Sequence, residues 1–579
     1  IIHQLQYAAM TQILHVVVVG FHHKKGCQVE YAFPPLPGPA DNGDQGLPAA
    51  WRSLPALALP DGAHNVEQDT TYFLLPALDD PDRAVFGISC FRQIATESLV
   101  SKASDVTRST VQKSVCVLSR SPLFGVLKAK LQLITQAYFN EKDFSKVEVL
   151  SQMHANLAEM FDDGADLVDG QAACMDISVR ALVKTFRHRV VLLFKLILLE
   201  KRVLFHIFPV ARLGDSLVAL LSLFPGLLEE GLTHAMSTVK TAASREESPT
   251  RNEKDGVKRA EPLEKAEEAV EDEEERAKDG REEAEESREF EEKEARSAEE
   301  IEVRDAPPSR PPLGEDPLAG KKDSYGFPLS IFTMGNIFSP YVGLANLEHL
   351  TSKRVRGFLV GATNALFLQR KEYFDVIVTL DEEGAGSVDV LSPELKRALS
   401  LTAADLRFAD HLIKNVEATE DDGPAYEGGN EWCREQFRGY LLALGASVRC
   451  DLAPTSADFG APFVAAWRDS VNARRWLEEG RHEDLVGVMP GHPFAGNLGV
   501  YDVVLRVEHS VGGSEQARKA LSAISSTGKS LSASGGKMKS NLTSWFRGVT
   551  GQASSAFNAA TTPTETKDTA SPAATPEAK

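Results

Sequence analysis

Two short segments contain residues whose types and spacing could do chemistry. His22, His23 and Cys27 lie close together and carry the nitrogen and sulfur ligands that zinc prefers. The sequence STGKS at Ser526–Ser530 is similar to a phosphate-binding loop, but the first glycine of that pattern would fall at Ala523, and no predicted strand precedes it. The sequence contains no GxSxG nucleophile motif. We therefore predict no metal ligand, no cofactor and no conventional catalytic residue.

A β-hairpin accounts for the histidines and the cysteine without a metal. Ile13–Phe21 is β-branched and apolar, which is typical of a strand buried on both faces. His22–Gly26 supplies the reversal, because Gly26 is free to adopt a positive φ. Gln28–Phe33 alternates polar and apolar residues, and Pro34 ends the strand because proline has no N–H group for the sheet.

The C-terminal part of the chain combines basic and bulky apolar residues. Between Gln516 and Thr564 the sequence has six Lys or Arg residues and no Asp or Glu. Such a segment can lie in an anionic membrane interface. The residues predicted to make this contact are Lys537, Lys539, Leu542, Trp545, Phe546 and Arg547. A plain flexible tail is the alternative, since Gly535 and Gly536 would interrupt a helix.

Composition excludes two classes of protein. The net charge is −20, but Arg245–Arg304 alone holds 25 acidic and 13 basic residues, a net of −12. The rest of the chain is only mildly acidic, which disfavours nucleic acid as a partner. The six cysteines are scattered without a CxxC pair, so we expect reduced thiols and not a disulfide framework.

One apolar run has the length of a membrane span. Val190–Val210 is interrupted by Lys195 and by the charged residues 200–202, which leaves too short an apolar stretch to cross a bilayer. We predict a buried helix followed by a buried strand, and no transmembrane helix. Lys195 and His206 are expected either to reach solvent or to be satisfied within the core. Because no secretory signal precedes the first strand, we expect a cytosolic domain.

The first third of the chain has the pattern of an α/β layer. Thr70–Leu75, Ala84–Ile94 and Lys113–Leu118 look like strands, and Leu123–Phe139 has apolar residues at helical spacing. Together with the hairpin they predict a mostly antiparallel sheet of about five strands.

A second α/β unit is predicted from about Val179, followed by helices. Its predicted elements are the helices Ala181–Leu199 and Ser216–Leu228 and the strands Arg202–Phe208, Gly357–Val360, Ala365–Leu368 and Val376–Leu380. Ser392 before Pro393 predicts a helix start, and Thr402 with Asp405 forms a capping-box pattern. A later helix is predicted over Phe463–Trp476. The Glu-rich segment between the two halves of this unit lacks large apolar residues and is predicted to be disordered.

Four segments resemble the tripartite DENN-domain proteins, and most closely their late-secretory-pathway branch, the Avl-nine family. They are HVVVVGFHHKKGCQVEYAFPPL from His15, LPDGAHN at Leu59–Asn65, VRGFLVGATNALF at Val355–Phe367 and ADLRFADHLIKNV at Ala404–Val416. The weaker VCVLSRSPLFGVLKAKLQLI at Val115–Ile134 looks like the end of an upstream DENN module. The resemblance implies a longin-like upstream module with an antiparallel sheet and helices, an α/β core module and a helical downstream module. The expected boundaries are 13–160 (upstream), 179–235 and 323–390 (core), 236–322 (disordered charged insert), 391–507 (downstream) and 508–579 (flexible tail).

The resemblance also implies a function. DENN proteins characteristically promote GDP–GTP exchange on Rab GTPases, so we expect a Rab exchange factor of the late secretory (Golgi to cell surface) or recycling pathway. We expect it in the cytoplasm, peripherally associated with Golgi, vesicle or endosome membranes. The alternative is a non-catalytic DENN scaffold that binds small GTPases or tethering factors. By analogy, the Rab-binding surface lies where the upstream and core modules meet, but the sequence assigns no residue to it.

Overall fold

A computed structural model describes residues 11–38, 46–101, 108–162, 173–238, 313–419, 426–450, 453–480 and 482–511. All of these except Leu313 and Gly314 belong to one compact unit formed by Ile1–Lys240 and Glu315–Lys579. Only Leu313 and Gly314 are described of the other unit, Thr241–Gly314.

The first layer is an antiparallel five-stranded sheet with helices. Its elements are β1 (Ile13–His22), β2 (Gly26–Phe33), α1 (Leu54–Ala58), β3 (Gln68–Pro76), β4 (Ala84–Ala95), β5 (Thr110–Ser119), α2 (Phe124–Asn140) and α3 (Glu148–Asp162). The strand order is β2-β1-β5-β4-β3, and every neighbouring pair is antiparallel. β1 therefore lies inside the sheet, and its residues Val16–Val19 are fully buried, as the β-branched pattern predicts.

The second layer is a mixed five-stranded sheet built from the middle of the chain. Its elements are α4 (Val179–Phe186), α5 (Arg189–Leu198), β6 (Arg202–His206), α6 (Val210–Leu221), β7 (Asn336–Ser339), α7 (Leu347–Leu350), β8 (Gly357–Ala362), β9 (Val376–Leu380) and β10 (Gly386–Val390). The strand order is β10-β9-β6-β8-β7. β7, β8, β6 and β9 run parallel, and only β10 is antiparallel to its neighbour. The carboxyl ends of four strands consequently meet at one edge of the sheet.

The last described part is helical. Its elements are α8 (Pro393–Ala398), α9 (Ala403–Ala418), α10 (Asn430–Arg449), α11 (Ala453–Ala457), α12 (Ala461–Arg468), α13 (Val471–Ala473), α14 (Glu483–Val486) and α15 (Val500–Val511). Both predicted helix starts are confirmed. The Ser392 hydroxyl accepts the N–H of Leu395, and Thr402 with Asp405 forms the reciprocal capping box.

Short helical turns connect these elements. The 3-10 turns are Ala49–Trp51, Ala63–Asn65, Thr96–Ser98, Ala319–Lys321, Leu344–Asn346, Ala365–Gln369 and Lys371–Tyr373, and the π-helical turns are Leu227–Gly231 and Arg474–Glu479.

Several predicted helix bounds are wrong. The single helix predicted over Ala181–Leu199 is two helices, α4 and α5, because Arg187 adopts φ 47° and ends the first one. The helix predicted over Ser216–Leu228 is α6, which starts six residues earlier at Val210 and ends at Leu221. The helix predicted over Phe463–Trp476 ends at Arg468, and Ser470 caps a new short helix.

Two further predictions differ from the structure. Ala365–Leu368 is not a strand but part of a 3-10 turn, because the Asn364 side chain accepts the N–H of Leu366 and starts a helical turn. The predicted disordered insert, 236–322, extends too far at its C-terminal end, since Glu315–Lys322 is ordered: Leu318 is fully buried and Asp316 pairs with the buried Arg475. Most of the remaining insert lies outside the described residues.

The predicted fold class is confirmed. The structure contains a longin-like antiparallel sheet with helices, an α/β unit and a helical C-terminal part. The buried helix and strand predicted for the apolar run are α5 and β6. Among the described residues, no helix has both the length and the apolar character that crossing a bilayer requires. The module boundaries remain predictions.

Candidate functional site

The carboxyl edge of the second sheet is where the two sheets come together. In open α/β sheets, ligands bind beyond the carboxyl ends of parallel strands, where the loops can diverge. Here the loops after β6, β7 and β8 meet a turn of the first layer, formed by Asp61 and Gly62 between α1 and β3. We therefore expect a functional surface at this edge of the sheet.

Asp61 holds the two layers together through three hydrogen bonds. Its backbone N–H donates to the Tyr341 hydroxyl at 2.8 Å, and its carbonyl accepts from the Thr363 hydroxyl at 2.9 Å. Its carboxylate accepts from the Asn364 side-chain amide at 3.0 Å. Gly62 follows with φ 85°, a left-handed conformation that glycine adopts without strain. We call these five residues the Asp61 junction.

The electrostatic surroundings keep the Tyr341 hydroxyl protonated. Burial raises the pKa of Tyr341 to about 12, and the neighbouring Asp61 carboxylate adds to the rise. A neutral hydroxyl can accept the Asp61 N–H and keep its own proton for a second hydrogen bond. The junction is thus held without a buried charge on the tyrosine.

Three exposed apolar side chains border the Asp61 junction. Phe208, Leu344 and Leu366 follow β6, β7 and β8 and are 43%, 37% and 47% exposed. A Cβ on Gly62 would lie 3.4 Å from the Phe208 ring, so that ring covers the turn directly. We call Phe208, Leu344 and Leu366 the apolar rim. Exposed apolar side chains gathered at one edge are typical of a surface that binds another protein.

A second connection joins the first sheet to α6, which begins two residues after Phe208. The Asp69 carboxylate, on β3, accepts the N–H groups of Val210 at 3.0 Å and Ala211 at 2.8 Å, at the start of α6. A carboxylate at a helix N-terminus accepts hydrogen bonds from free N–H groups and interacts favourably with the positive end of the helix dipole. Burial nevertheless raises the pKa of Asp69, although these N–H groups and that of Thr70 favour the charged form.

The next turn of α6 contacts the same sheet. The Tyr72 hydroxyl donates to Asp215 at 2.9 Å, and Lys128 of α2 donates to both Asp215 oxygens at 2.7 and 2.8 Å. Gly214 allows this approach, because a Cβ there would lie 2.5 Å from the Tyr72 ring. The first layer therefore fixes α6 at several points along its length.

A cleft of about 570 Å³ opens beside the Asp69 contact. Its lining includes Asp69, Cys90, Gln132, Leu133 and Pro209. Leu133 is 70% exposed, and Pro209 is the direct neighbour of Phe208. The cleft and the apolar rim consequently form adjoining parts of one surface, made by both layers.

A buried polar cluster joins the second layer to the helical part. Lys195 of α5 donates to the Asp405 carboxylate at 2.5 Å and to the Phe459 carbonyl at 2.7 Å. The Tyr440 hydroxyl donates to the other Asp405 oxygen at 2.8 Å, and Lys195, Asp405 and Tyr440 are all fully buried. Of the two predicted alternatives for Lys195, the structure shows the satisfied core residue.

The protonation of this cluster follows from its hydrogen bonds. His492 accepts the Phe494 N–H through Nδ1, so a neutral ring carries its proton on Nε2, 3.3 Å from Asp405. Burial by itself would raise the pKa of Asp405, but Lys195 and His492 reverse that effect and lower it. Asp405 is therefore a carboxylate that positions helices, and it lies too deep to contact a partner.

A family model described as "Transport protein Avl9" matches residues 13–448, which include both sheets, the Asp61 junction and Asp405. The chain belongs to the Avl9 family. It is 30% identical over 505 residues to the late secretory pathway protein avl9 of Schizosaccharomyces pombe, an alignment that covers 84% of this chain and 91% of the relative. It is 28% identical over 467 residues to the late secretory pathway protein AVL9 of Saccharomyces cerevisiae, covering 76% of this chain and 52% of that protein.

Two of the segments that carry the Avl9 resemblance meet in the folded chain. Asp61 comes from LPDGAHN, while Thr363 and Asn364 come from VRGFLVGATNALF. The third segment, ADLRFADHLIKNV, contributes Asp405 to the buried cluster. In this chain, the first two segments thus build an exposed site and the third builds the core beneath the helices.

The candidate residues identified in the sequence have different positions in the structure. His22 is the last residue of β1 and His23 follows it in the turn; the His22 ring accepts the N–H groups of Lys24 and Lys25 and helps to form that turn. In the described part of the chain, no group of three or more His, Cys, Asp or Glu side chains has the arrangement of a metal site. The predicted membrane-contact residues, Lys537–Arg547, and the segment Ser526–Ser530 lie outside the described residues.

Sequence reasoning missed the residues of the surface itself. From the sequence, Asp61 is placed only within the LPDGAHN segment, and Phe208 and Leu366 are predicted to lie in strands. The available signal was that large apolar residues directly follow parallel strands, where loops normally carry polar residues. His206, at the end of β6, is half-buried, and its Nε2 atom has no hydrogen-bond partner among the described residues.

Proposed function

We propose that this chain acts in the late secretory pathway as a guanine-nucleotide exchange factor for a Rab GTPase. The names of its Avl9 relatives support the pathway. The surface formed by the Asp61 junction, the apolar rim and the adjoining cleft is the observation that supports a protein partner. It lies where the two sheets meet, which is where the DENN resemblance leads us to expect the GTPase.

Nucleotide exchange requires binding energy and no reactive side chain. An exchange factor holds the switch segments of the GTPase away from the nucleotide and Mg²⁺, so it must bind the opened state more tightly than the closed one. A thousandfold acceleration corresponds to about 4 kcal/mol of such preference. An exposed surface lacking catalytic groups is sufficient for this task.

The apolar rim can supply energy of this order. Complete burial of a Phe or Leu side chain is worth about 1.5–3 kcal/mol. Since Phe208, Leu344 and Leu366 are roughly half exposed, each has about 1 kcal/mol left to gain from a partner. Together they would contribute about 3 kcal/mol, before the cleft and the polar groups of the junction are included.

The test is release of fluorescent GDP from a panel of purified Rab GTPases, with the full chain as catalyst. We expect the chain to accelerate GDP release from at least one Rab. The double variant Phe208→Asp/Leu366→Asp should accelerate that release at least tenfold less. Val100→Asp is the control, because Val100 is 77% exposed but lies on the loop after β4. Measurable Rab binding with no accelerated release from any Rab would favour the scaffold function instead.

A further inference from the structure

Two histidines meet where α15 packs on the corner between α4 and α5. His188 directly follows Arg187, whose φ of 47° ends α4, and it directly precedes α5. The centroid of the His188 ring lies 6.2 Å from that of His509 on α15, with an angle of 64° between the two ring planes. His188 is 5% exposed and His509 is half-buried. Neither residue takes part in the proposed partner surface.

The His188 ring suits this position only when it is neutral. Its Nε2 atom is buried and has no hydrogen-bond partner among the described residues. A neutral imidazole has one ring nitrogen without a proton, whereas an imidazolium carries an N–H group on both nitrogens. Protonation of His188 would therefore bury a charge and an N–H donor without an acceptor, which is costly.

Most of the charged groups around the two rings would repel a proton. Among the described side chains, the charged groups that act on one or both rings are Arg187 and Arg189 at the corner, Asp410 and Lys414 on α9, and Arg506 on α15. Asp410 is the only acid in this set, and it already pairs with Lys414 at 2.8 Å and accepts the Tyr501 hydroxyl at 2.6 Å. The surroundings thus favour uncharged rings.

Burial and these charges make both histidines weaker bases than a histidine in water. Burial lowers the pKa of His188 to about 4, with Arg187, Arg189 and Lys414 adding to the effect and Asp410 opposing it. Burial also lowers the pKa of His509 to about 4, and His188 and two arginines add to that effect. Since an exposed histidine has a pKa of about 6.5, the packed arrangement is favoured above that value and loses stability as pH falls below it.

We propose that His188 and His509 form an acid-sensitive latch, which holds α15 on the α4–α5 corner at neutral pH and loosens as both rings take up protons. Between about pH 6.5 and 4, each histidine would shift the equilibrium toward the detached helix by up to about tenfold per pH unit, and the two together by up to about a hundredfold. This inference does not depend on which activity the Asp61 junction has.

The other polar attachment of α15 keeps its charge in this pH range. Asp502 accepts two hydrogen bonds from Arg407, at 2.5 and 2.7 Å. Burial alone would raise the pKa of Asp502, but the bonds from Arg407 reverse that effect and lower it. This ion pair therefore contributes equally at pH 6 and pH 5, and a change in the attachment of α15 between these values reports the histidines.

The test is hydrogen exchange of the full chain at pH 6.0 and 5.0, measured by mass spectrometry and expressed as protection factors that correct for the intrinsic effect of pH. In the unmodified chain, the protection of α15 should fall by about fiftyfold between these pH values, while α10, the internal reference, stays within twofold. The fall should be about sevenfold in His188→Gln or in His509→Gln, and under twofold in the double variant. His23→Gln/His64→Gln replaces two exposed histidines and should match the unmodified chain.

Three results would overturn the proposal. One is a protection of α15 that changes by less than twofold between the two pH values in the unmodified chain. Another is a fall in the His188→Gln/His509→Gln variant as large as in the unmodified chain, which would assign the response to other groups. The third, which needs no variant, is a parallel fall in α15 and α10, which would show acid unfolding of the whole domain and not a local latch.

Discussion

Replacing Lys195 by methionine tests whether the Asp405 cluster holds the helical part on the second sheet. Methionine has a similar length but no charge, so the variant removes the ammonium group and leaves the packing volume nearly unchanged. Asp405 would remain fully buried, with Tyr440, the Thr402 N–H and the His492 ring as hydrogen-bond donors but without its lysine partner. The Phe459 carbonyl would lose its donor as well.

The expected cost is large because the pair is completely excluded from water. Removing one partner of a buried ion pair costs about 3–5 kcal/mol, mostly because the remaining charge is left unpaired. Lys201→Met is the matched control: Lys201 is exposed, six residues further along, and its replacement should change the free energy of unfolding by less than about 0.5 kcal/mol.

The pH dependence separates the loss of a charge partner from a simple packing defect. In the unmodified chain the pKa of Asp405 is lowered, so its contribution to stability is present above the unfolded value near 4 and is lost only as pH falls below it. In the variant, Lys195 is no longer present to lower the pKa of Asp405. Burial should therefore raise that pKa above its unfolded value. A raised folded pKa favours folding below the unfolded value, and that benefit is lost as pH rises through the folded value. Between the raised folded pKa and the unfolded value near 4, the free energy of unfolding of the variant should therefore increase by about 1.4 kcal/mol for each unit by which the pH falls.

The assay is urea unfolding at pH 7.5 and pH 5.0, followed by the fluorescence of the buried Trp467 and Trp476 in the helical part. We expect Lys195→Met to be destabilised by about 3–5 kcal/mol at pH 7.5 and by clearly less at pH 5.0. A destabilisation of under 1 kcal/mol, or one of equal size at both pH values, would refute the role assigned to the ion pair.

Three further predictions concern the contacts between the layers. Asp69→Ala should lower the free energy of unfolding by about 1–2 kcal/mol in urea unfolding, because the start of α6 loses its cap, whereas Asp80→Ala, in the loop after β3, should have little effect. Gly214→Ala should cost about 1–3 kcal/mol, visible as a lower thermal midpoint, since the new Cβ would lie 2.5 Å from the Tyr72 ring; an unchanged midpoint would show that α6 can shift. Tyr341→Phe should slow Rab exchange several-fold and lower the free energy of unfolding by about 1 kcal/mol, because the Asp61 N–H loses its acceptor at the junction; unaltered exchange would place the partner elsewhere.

Local patterns predicted those elements whose signals lie within a few residues. The hairpin of β1 and β2 followed from β-branched residues and a glycine turn, and the helix starts at Ser392 and Thr402 followed from side chains that cap their own helix. The start of α6 could not be predicted in this way. Its cap is Asp69, more than a hundred residues earlier in the chain, so the helix begins well before the position that apolar spacing indicates.

The apolar pattern also predicts the wrong helix bounds where a single residue changes the direction of the backbone. The apolar pattern of Ala181–Leu199 predicts one continuous helix, but Arg187 at φ 47° divides the segment into α4 and α5. The ordered segment Glu315–Lys322 was assigned to the insert because its composition is polar. Asp316 is held there by Arg475 and Lys322, charges whose proximity only the folded chain creates.

The sequence by itself determined the family and the class of fold, because both depend on contiguous patterns of apolar, polar and turn residues that survive in linear order. Only the tertiary structure decided what the matching segments do. It joined Asp61 with Thr363 and Asn364 across some three hundred residues, gathered Phe208, Leu344 and Leu366 at one sheet edge, and buried Asp405 with Lys195. An interaction surface is made of residues that are distant in sequence and weak individually, so it leaves no local pattern until the fold brings them together.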